Sequence, residues 1–157
     1  MTIRPLRRED REPIERLLRE TDVFSEEEIG VAMELVGVYL DDPNQKDYEL
    51  FSSVDDGGVL SGYVCLGPTP ATQGTFDLYW IAVTPSEQAR GVGTKLLGFV
   101  EGLLRSRGGR LLVAETSSTP KYDKTRAFYE KKGFAQNARI KDYYKPGDDL
   151  VIYGKIL

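Results

Sequence analysis

The feature that most constrains this chain is an unbroken succession of apolar segment, glycine-containing turn and amphipathic helix over residues 75–107. The apolar segment, Thr75–Val83, is rich in aromatic and branched residues and predicts a strand. Downstream of the turn, large apolar residues recur every three or four positions, which predicts a helix with one buried face. These residues are Leu96, Leu97, Val100, Leu103 and Leu104. The sequence therefore predicts a strand that passes through a tight turn directly into a helix.

The turn between the strand and the helix has the features of an anion-binding site. Gly91 and Gly93 carry no side chain, so the main chain there can approach a bulky anion closely. The helix that follows offers unpaired N–H groups and the positive end of its dipole. We call Gln88–Thr94 the anion cradle, and the ligand it predicts is a phosphate-bearing cofactor. A tight strand-to-helix turn without a ligand is the alternative explanation for the two glycines.

Two common phosphate-binding motifs are excluded by the residues of the turn. A P-loop needs Gly-x-x-x-x-Gly-Lys-Ser/Thr, which the chain lacks, and the dinucleotide fingerprint needs glycine or alanine where Leu96 stands. The pattern that remains is Gln88-Ala89-Arg90-Gly91-Val92-Gly93. It resembles the Gln/Arg-x-x-Gly-x-Gly/Ala signature of the GNAT superfamily of acyl-CoA-dependent N-acyltransferases.

Two flanking segments strengthen this resemblance. Upstream, Trp80–Pro85 (WIAVTP) is similar to the apolar strand ending in Val-x-Pro that precedes the signature in the family. Downstream, Thr125–Phe134 (TRAFYEKKGF) is similar to the family's Phe/Leu-Tyr-Glu-Lys-x-Gly-Phe segment. The resemblance is close over roughly residues 50–157 and loose over the N-terminal part. The ending Tyr143-Tyr144-Lys145-Pro146-Gly147-Asp148-Asp149 also resembles many single-domain members, although turn chemistry alone explains it.

Composition limits the class of protein. A chain of 157 residues with 40% hydrophobic and 29% charged residues is typical of one soluble domain, here residues 1–157. The N-terminus MTIRPLRRED lacks the apolar core of a signal peptide, and no apolar run is long enough to span a membrane. We therefore expect a cytoplasmic protein with no membrane partner. Because the net charge of the chain is −4 and its basic residues are interrupted by acidic ones, we expect no nucleic-acid partner.

The chain contains no histidine and one cysteine, Cys65. This excludes histidine-based metal sites, nucleophiles activated by histidine, and an intramolecular disulfide. We therefore expect no metal, and proton transfer would depend on carboxylates, tyrosines, lysines or water.

The other segments predict an α/β protein with a mixed central sheet and helices on both faces. A capping box at Ser25 and Glu28 starts a helix that ends near Leu40, and Asp55–Gly58 joins two strands as a hairpin. Further strands are predicted at 1–6, 48–54, 59–66, 110–116, 135–144 and 150–156, and further helices at 9–20 and 121–132. This order matches the GNAT fold, in which the central strand and the next one separate to admit the pantetheine arm.

The resemblance implies an N-acetyltransferase. Such an enzyme moves an acetyl group from acetyl-CoA to a primary amine of a small molecule, an amino acid, or a peptide or protein, by direct attack in a ternary complex. Because a free amine with a pKa near 10 is almost wholly protonated at neutral pH, a base or a proton path should assist. A catalytically silent CoA-binding or sensory module is the alternative. Dimers are frequent in the family, so a homodimer is an assembly that the resemblance allows.

Three residues are candidates for the chemistry. The family's tyrosine at the position of Tyr129 points its hydroxyl at the cofactor sulfur, so Tyr129 is the expected proton donor, with Phe128 packing inward beside it. Asp77 stands where one branch of the family carries a strand glutamate that acts through water, although aspartate is one methylene shorter. Glu115 ends the following strand, where some ribosomal-protein acetyltransferases carry a glutamate. The residues do not decide between the two carboxylates, and water alone could also suffice.

The resemblance also implies the cofactor contacts. The main chain of Ile81–Val83 would hold the pantetheine arm, with an N–H near Ile81 on the thioester carbonyl, and the anion cradle would hold the diphosphate. At Tyr122 the sequence has tyrosine where many members of the family have asparagine. The full set is Ile81, Ala82, Val83, Gln88, Ala89, Arg90, Gly91, Val92, Gly93, Thr94, Tyr122 and Tyr129.

Overall fold

A computed structural model describes all 157 residues as alternating strands and helices. The helices are α1 Arg11–Glu20, α2 Glu26–Asp41, α3 Val92–Ser106 and α4 Asp123–Lys131. The strands are β1 Thr2–Pro5, β2 Glu49–Val54, β3 Leu60–Pro68, β4 Thr75–Val83, β5 Leu111–Ser117, β6 Ala135–Lys145 and β7 Asp148–Ile156. Short 3-10 segments cover Arg8–Asp10, Pro85–Arg90 and Pro120–Tyr122. None of the helices is both long enough and apolar enough to cross a membrane.

The seven strands form one mixed sheet in the order β1-β2-β3-β4-β5-β7-β6. Strands β4 and β5 are parallel, whereas β1–β2, β2–β3, β5–β7 and β6–β7 are antiparallel. This confirms the predicted fold class. The position of the last strand was not predicted: β7 lies between β5 and β6, because it buries Leu150, Val151 and Tyr153, whereas every residue of β6 is exposed.

The chain divides into two compact units, which we describe separately. The first unit comprises residues 1–67 and 79–103, and the second comprises residues 68–78 and 104–157. Strand β4 therefore contributes its first half to the second unit and its second half to the first. The sequence predicts a single domain, and that stays a prediction, because the division into two compact units does not test it.

The core of the first unit lies between the helices α1 and α2 and the strands β2 and β3. Ile14 and Leu17 of α1, Val36 of α2 and Tyr63 of β3 are all buried in it. The predicted capping box is confirmed, since Glu28 N–H donates to Ser25 Oγ at 3.1 Å and Ser25 N–H donates to Glu28 Oε1 at 3.0 Å. Burial raises the pKa of the Cys65 thiol to about 12, so this cysteine is a protonated core residue.

A buried polar cluster joins β1, the first 3-10 segment and β2, and we call it the Asp10 cluster. The Asp10 carboxylate accepts two hydrogen bonds from the Arg4 guanidinium at 2.7 and 3.0 Å. It also accepts one from the Arg7 N–H at 2.8 Å and one from Ser52 Oγ at 2.9 Å. Burial by itself would raise the pKa of Asp10, but these hydrogen bonds and the Arg4 charge outweigh it and hold the pKa below its usual value.

Two predicted helices begin later than the sequence indicated. Residues expected to open them instead form the 3-10 segments Arg8–Asp10 and Pro120–Tyr122, after which α1 begins at Arg11 and α4 at Asp123. The predicted end of α4 is confirmed, since Gly133 has a φ of +90°, a left-handed conformation that favours glycine.

Candidate active site

The end of strand β4 is tied to its neighbour and to the turn that follows. Thr84 N–H donates to the Ser61 carbonyl at 2.9 Å, and the 3-10 segment then begins at Pro85. Gln88 Nε2 donates to the Val83 carbonyl at 3.2 Å, which folds the first residue of the anion cradle back onto the strand. In this structure, Gln88 therefore shapes the turn.

The geometry of Gly91 explains why the anion cradle contains glycine. Gly91 has a φ of +78°, and a Cβ atom placed on it would meet no atom within 4 Å. The backbone conformation requires glycine here, and the space beside it is open. The Gly91 carbonyl accepts the Lys95 N–H at 3.0 Å, so α3 begins at Val92. The N–H groups of the first turn, which include those of Gly93 and Thr94, consequently have no acceptor further back in the helix.

Charged side chains surround the anion cradle. Arg90, whose side chain is 74% exposed, pairs with Glu87 at 3.7 Å, an exposed contact that holds the guanidinium only weakly. A depression of about 200 Å³ lies in the same part of the first unit. It is lined by Met1, Asp55, Asp56, Ser61, Glu87, Arg90, Val92 and Lys95. Its charges are of both signs, and the sequence did not reveal it because its residues come from four separate segments.

The residues expected to hold the pantetheine arm form the last part of β4. Ala82 and Val83 are buried and Ile81 is half-buried, and the main-chain contact expected of them stays a prediction. The parallel register of β4 with β5 runs from Thr75 opposite Leu111 to Leu78 opposite Ala114. The expected separation of the two strands beyond that point stays a prediction.

The two candidate bases both lie in the second unit. Asp77 is half-buried opposite Val113 of β5, and its Oδ2 accepts a hydrogen bond from Thr69 Oγ1 at 2.7 Å. Glu115 follows two residues after Val113 on the same strand, opposite Ile152 of β7, and is exposed. Because partners in a parallel register share a face and residues alternate along a strand, Asp77 and Glu115 lie on one face of the sheet.

Tyr129 is the buried member of the aromatic pair on α4. Its side chain is 5% exposed, and its ring packs against Phe134 and Tyr153 with centroid distances of 5.1 and 5.7 Å. Phe128 is only half-buried, so the expectation that Phe128 is the inward residue was wrong. Phe134 and Tyr153 supply the surrounding surface on the Tyr129 side of the helix, and neither lies on α4.

The Tyr129 hydroxyl makes no hydrogen bond within the chain. The hydroxyl groups that are completely enclosed without a partner are those of Tyr63 and Thr116, and the Tyr129 hydroxyl is not one of them. The ring is therefore buried while its hydroxyl still reaches accessible space. Burial raises the pKa of Tyr129 above its usual value, so the hydroxyl keeps its proton throughout the physiological pH range.

The structure thus distributes the predicted residues over both units. The second unit contains Asp77, Glu115 and Tyr129, together with Tyr122, which is half-buried at the start of α4 and does not cap that helix with its side chain. The first unit contains Ile81–Val83 and the anion cradle.

Comparisons with known proteins identify the family of this chain. Residues 12–134 match the sequence model of the acetyltransferase (GNAT) family. The crystal structure of a GNAT-family protein from Desulfovibrio desulfuricans is 43% identical, with a TM-score of 0.91 over 99% of this chain and 98% of the other. The chain therefore belongs to the GNAT acetyltransferase family. A search of curated proteins gave no match.

More distant structures share the fold. An aminoglycoside 6'-N-acetyltransferase complexed with coenzyme A is 19% identical, with a TM-score of 0.76 over 99% of this chain and 97% of the other. The ribosomal-protein-S18-alanine N-acetyltransferase from Escherichia coli is 22% identical, with a TM-score of 0.76 over 99% and 92% of the two chains. At these identities the likeness concerns the fold alone.

Proposed function

We propose that this protein transfers an acetyl group from acetyl-CoA to a primary amine by direct attack in a ternary complex. The observation that carries the proposal is the main-chain geometry of the anion cradle, in which a left-handed Gly91 leads directly into the first turn of α3. Membership of an acetyltransferase family is consistent with the proposal.

The anion cradle is suited to the diphosphate of coenzyme A. The N–H groups of the first turn of α3 would donate to the phosphate oxygens, and the open space beside Gly91 would admit them. Arg90 would add a positive charge nearby. The main chain of Ile81–Val83 would hold the pantetheine arm, and an N–H near Ile81 would polarise the thioester carbonyl. Acetyl-CoA itself supplies the activated acetyl group.

Tyr129 would act on the leaving sulfur. Its hydroxyl has no competing partner in the chain, so it is able to donate a hydrogen bond outward. A thiol has a pKa of about 8.5, below that of tyrosine, and burial raises the pKa of Tyr129 further. Complete proton transfer to a thiolate is therefore uphill. We infer that Tyr129 stabilises the leaving sulfur by hydrogen bonding and does not ionise.

The amine would lose its proton through Asp77, Glu115 or water. The two carboxylates lie on one face of the sheet, where a water molecule could connect them. Glu115 is exposed to solvent, so water has access to its carboxylate. The Thr69 hydroxyl donates to Asp77 and so orients its carboxylate.

The acceptor is an amine of a small molecule, an amino acid, or a peptide or protein. Structures with the same fold include an enzyme that acts on aminoglycosides and another that acts on the alanine of a ribosomal protein. The fold is therefore compatible with both kinds of acceptor.

The experiment that tests the proposal combines binding with turnover. Calorimetry should detect association of the purified chain with acetyl-CoA, and thiol release should rise when a panel of amines is added. The absence of binding at millimolar acetyl-CoA would overturn the proposal. Tight binding of coenzyme A without turnover on a broad panel would instead indicate a silent CoA-binding module.

A further inference from the structure

Arg126 lies one helical turn before Tyr129 on α4, and its guanidinium is directed toward the loop between β5 and α4. Nη1 donates to the Ser117 carbonyl at 2.6 Å and to the Thr119 carbonyl at 3.0 Å, and Nη2 pairs with the Asp123 carboxylate. The Arg126 side chain is only 19% exposed. One guanidinium therefore connects the end of β5, the loop and the first turn of α4.

The same loop is held from its other side by the start of β7. Ser117 Oγ donates to Asp148 Oδ1 at 2.5 Å and accepts the Thr119 N–H at 3.1 Å. Ser118 and Asp149 exchange two further hydrogen bonds, of 3.0 and 2.8 Å. We call this network the β5–α4 junction, consisting of Ser117, Ser118, Thr119, Asp123, Arg126, Asp148 and Asp149. It gives the Gly-Asp-Asp ending of the final hairpin a structural role.

Helix α4 depends on this junction for its orientation. It has nine residues, fewer than an isolated helix needs to be stable in water. Its N-cap residue, Tyr122, makes no capping hydrogen bond with its side chain. Arg126 is thus a polar attachment of the start of the helix to the loop before it.

The placement of the start of α4 determines where the Tyr129 hydroxyl lies. Residues three apart occupy one face of a helix, so Arg126 and Tyr129 are neighbours along that face. At the other end, Phe134 N–H donates to the Tyr129 carbonyl at 3.0 Å, and the Tyr153 hydroxyl donates to Glu130 at 3.0 Å. With both ends fixed, rotation of the helix about its axis is restricted, and with it the direction of the Tyr129 side chain.

We infer that Arg126 is a positioning residue that fixes the Tyr129 hydroxyl through the β5–α4 junction. The inference rests on the proposed role of Tyr129 toward the leaving sulfur. Arginine suits this position because its planar guanidinium reaches two carbonyl oxygens and a carboxylate together, whereas lysine offers a single point charge.

Steady-state kinetics of Arg126→Lys test the inference, using the amine that the panel shows to be acetylated fastest. We expect kcat to fall about tenfold, because small misplacements of a reacting group cost up to about 100-fold, while the KM for acetyl-CoA changes less than about twofold. In a Tyr129→Phe background, Arg126→Lys should change kcat less than about twofold. If Arg126→Lys lowers kcat by the same factor in the Tyr129→Phe background as in the wild type, Arg126 does not act through Tyr129 and the inference is wrong.

The matched control is Arg8→Lys. Arg8 also donates to a backbone carbonyl, that of Leu40 at 3.1 Å, and to an aspartate, Asp41 at 3.0 Å, but it lies in the first unit and is exposed. We expect its kcat to equal that of the wild type. Asp123→Asn removes one partner of Arg126 and retains the two carbonyl contacts, so it provides a milder variant with a smaller loss of kcat in case Arg126→Lys folds poorly.

A second readout does not depend on turnover. In protein labelled with ¹³Cζ-tyrosine, the Tyr129 resonance can be assigned by its loss in Tyr129→Phe. We expect it to shift in Arg126→Lys and in Asp123→Asn and to stay unchanged in Arg8→Lys. A shifted resonance in a chain that acetylates no amine would retain the positioning role and reject the proposed function, whereas an unshifted resonance would reject the positioning role itself.

Discussion

The anion cradle and Tyr129 are held in place in different ways. The anion cradle is an exposed turn shaped by main-chain conformation, with Gly91 left-handed and one side-chain hydrogen bond, from Gln88 to Val83. Tyr129 is a buried side chain held by neighbouring aromatic rings and by a helix that Arg126 attaches to its surroundings. The comparison teaches that the anion cradle depends on the absence of side chains, whereas the position of Tyr129 depends on their packing.

The largest expected effect tests the part that depends on the absence of a side chain. Gly93→Val places three heavy atoms where a diphosphate would approach the first turn of α3. Loss of two hydrogen bonds to charged oxygens, each worth about 2 kcal/mol, would weaken acetyl-CoA binding about 1,000-fold. Isothermal titration calorimetry measures this directly. Normal affinity in Gly93→Val would contradict the role of the anion cradle.

Two glycine variants serve as controls. Gly98 lies further along α3, and a Cβ atom there would meet nothing within 4 Å, so Gly98→Ala should bind acetyl-CoA as the wild type does. The Cβ atom added by Gly91→Ala would meet no atom within 4 Å either, but alanine would have to adopt a φ of +78°. We expect Gly91→Ala to lose about 1 kcal/mol of unfolding free energy from backbone strain.

Local sequence patterns predicted the turn between β4 and α3 and much of the fold. Strand β4 has the predicted bounds because its apolar residues stop at Val83 and Pro85 follows soon after. The capping box at Ser25 and Glu28 is equally local, since both partners lie within one turn. Such features need only neighbouring residues to determine them.

Local sequence patterns did not predict which residues surround Tyr129. Phe128 and Tyr129 are adjacent aromatic residues, and which one is buried depends on Phe134 and on Tyr153 of the last strand. The insertion of β7 between β5 and β6 brings Tyr153 there, and no local pattern indicates the pairing of β7 with β5. The contacts of Arg126 with the loop after β5 were missed for the same reason, although its position one turn before Tyr129 was a usable signal.

The Asp10 cluster sharpens the comparison, because it is a second region held by buried side chains and has no part in the proposed reaction. Asp10→Asn would leave the Arg4 guanidinium poorly paired in a largely buried position. We expect a loss of about 3 kcal/mol of unfolding free energy at pH 7, measured by urea denaturation, with unchanged affinity for acetyl-CoA. A loss below about 0.5 kcal/mol would show that the cluster behaves as a surface ion pair.

The pH dependence of this loss follows from the depressed pKa of Asp10. Because the folded pKa lies below the usual value of 3.8, the cluster contributes its full stability above that value. The contribution disappears as the pH falls through the folded pKa. The difference in unfolding free energy between the wild type and Asp10→Asn should therefore be constant from about pH 5 to 7 and shrink below about pH 4. A difference that grew on acidification would have the wrong sign.

Tyr129→Phe tests whether the packed side chain also reacts. Its hydroxyl has no partner in the chain, so we expect the unfolding free energy to change by less than about 0.5 kcal/mol. Loss of a hydrogen bond to a charged sulfur would cost about 2 kcal/mol, which corresponds to a fall in kcat of about 30-fold. Tyr153→Phe is the matched control from the same aromatic cluster. It removes the hydrogen bond to Glu130 that helps to fix α4, so it should lose about 1 kcal/mol of stability and less of kcat than Tyr129→Phe does.

The smallest effects are expected at the two carboxylates, Asp77 and Glu115. They lie on one face of the sheet and are not fully buried, so they are held neither by a glycine turn nor by a packed core. Asp77→Asn and Glu115→Gln should each lower kcat by about threefold to tenfold, since a water path through the other carboxylate remains. The double variant should lose more than the product of the single losses if the two share that path. Profiles of kcat/KM against pH are the measurement, on the limb where the rate rises with pH. If both single variants and the double variant retain the wild-type profile, neither carboxylate is the base, and solvent water accepts the proton of the amine.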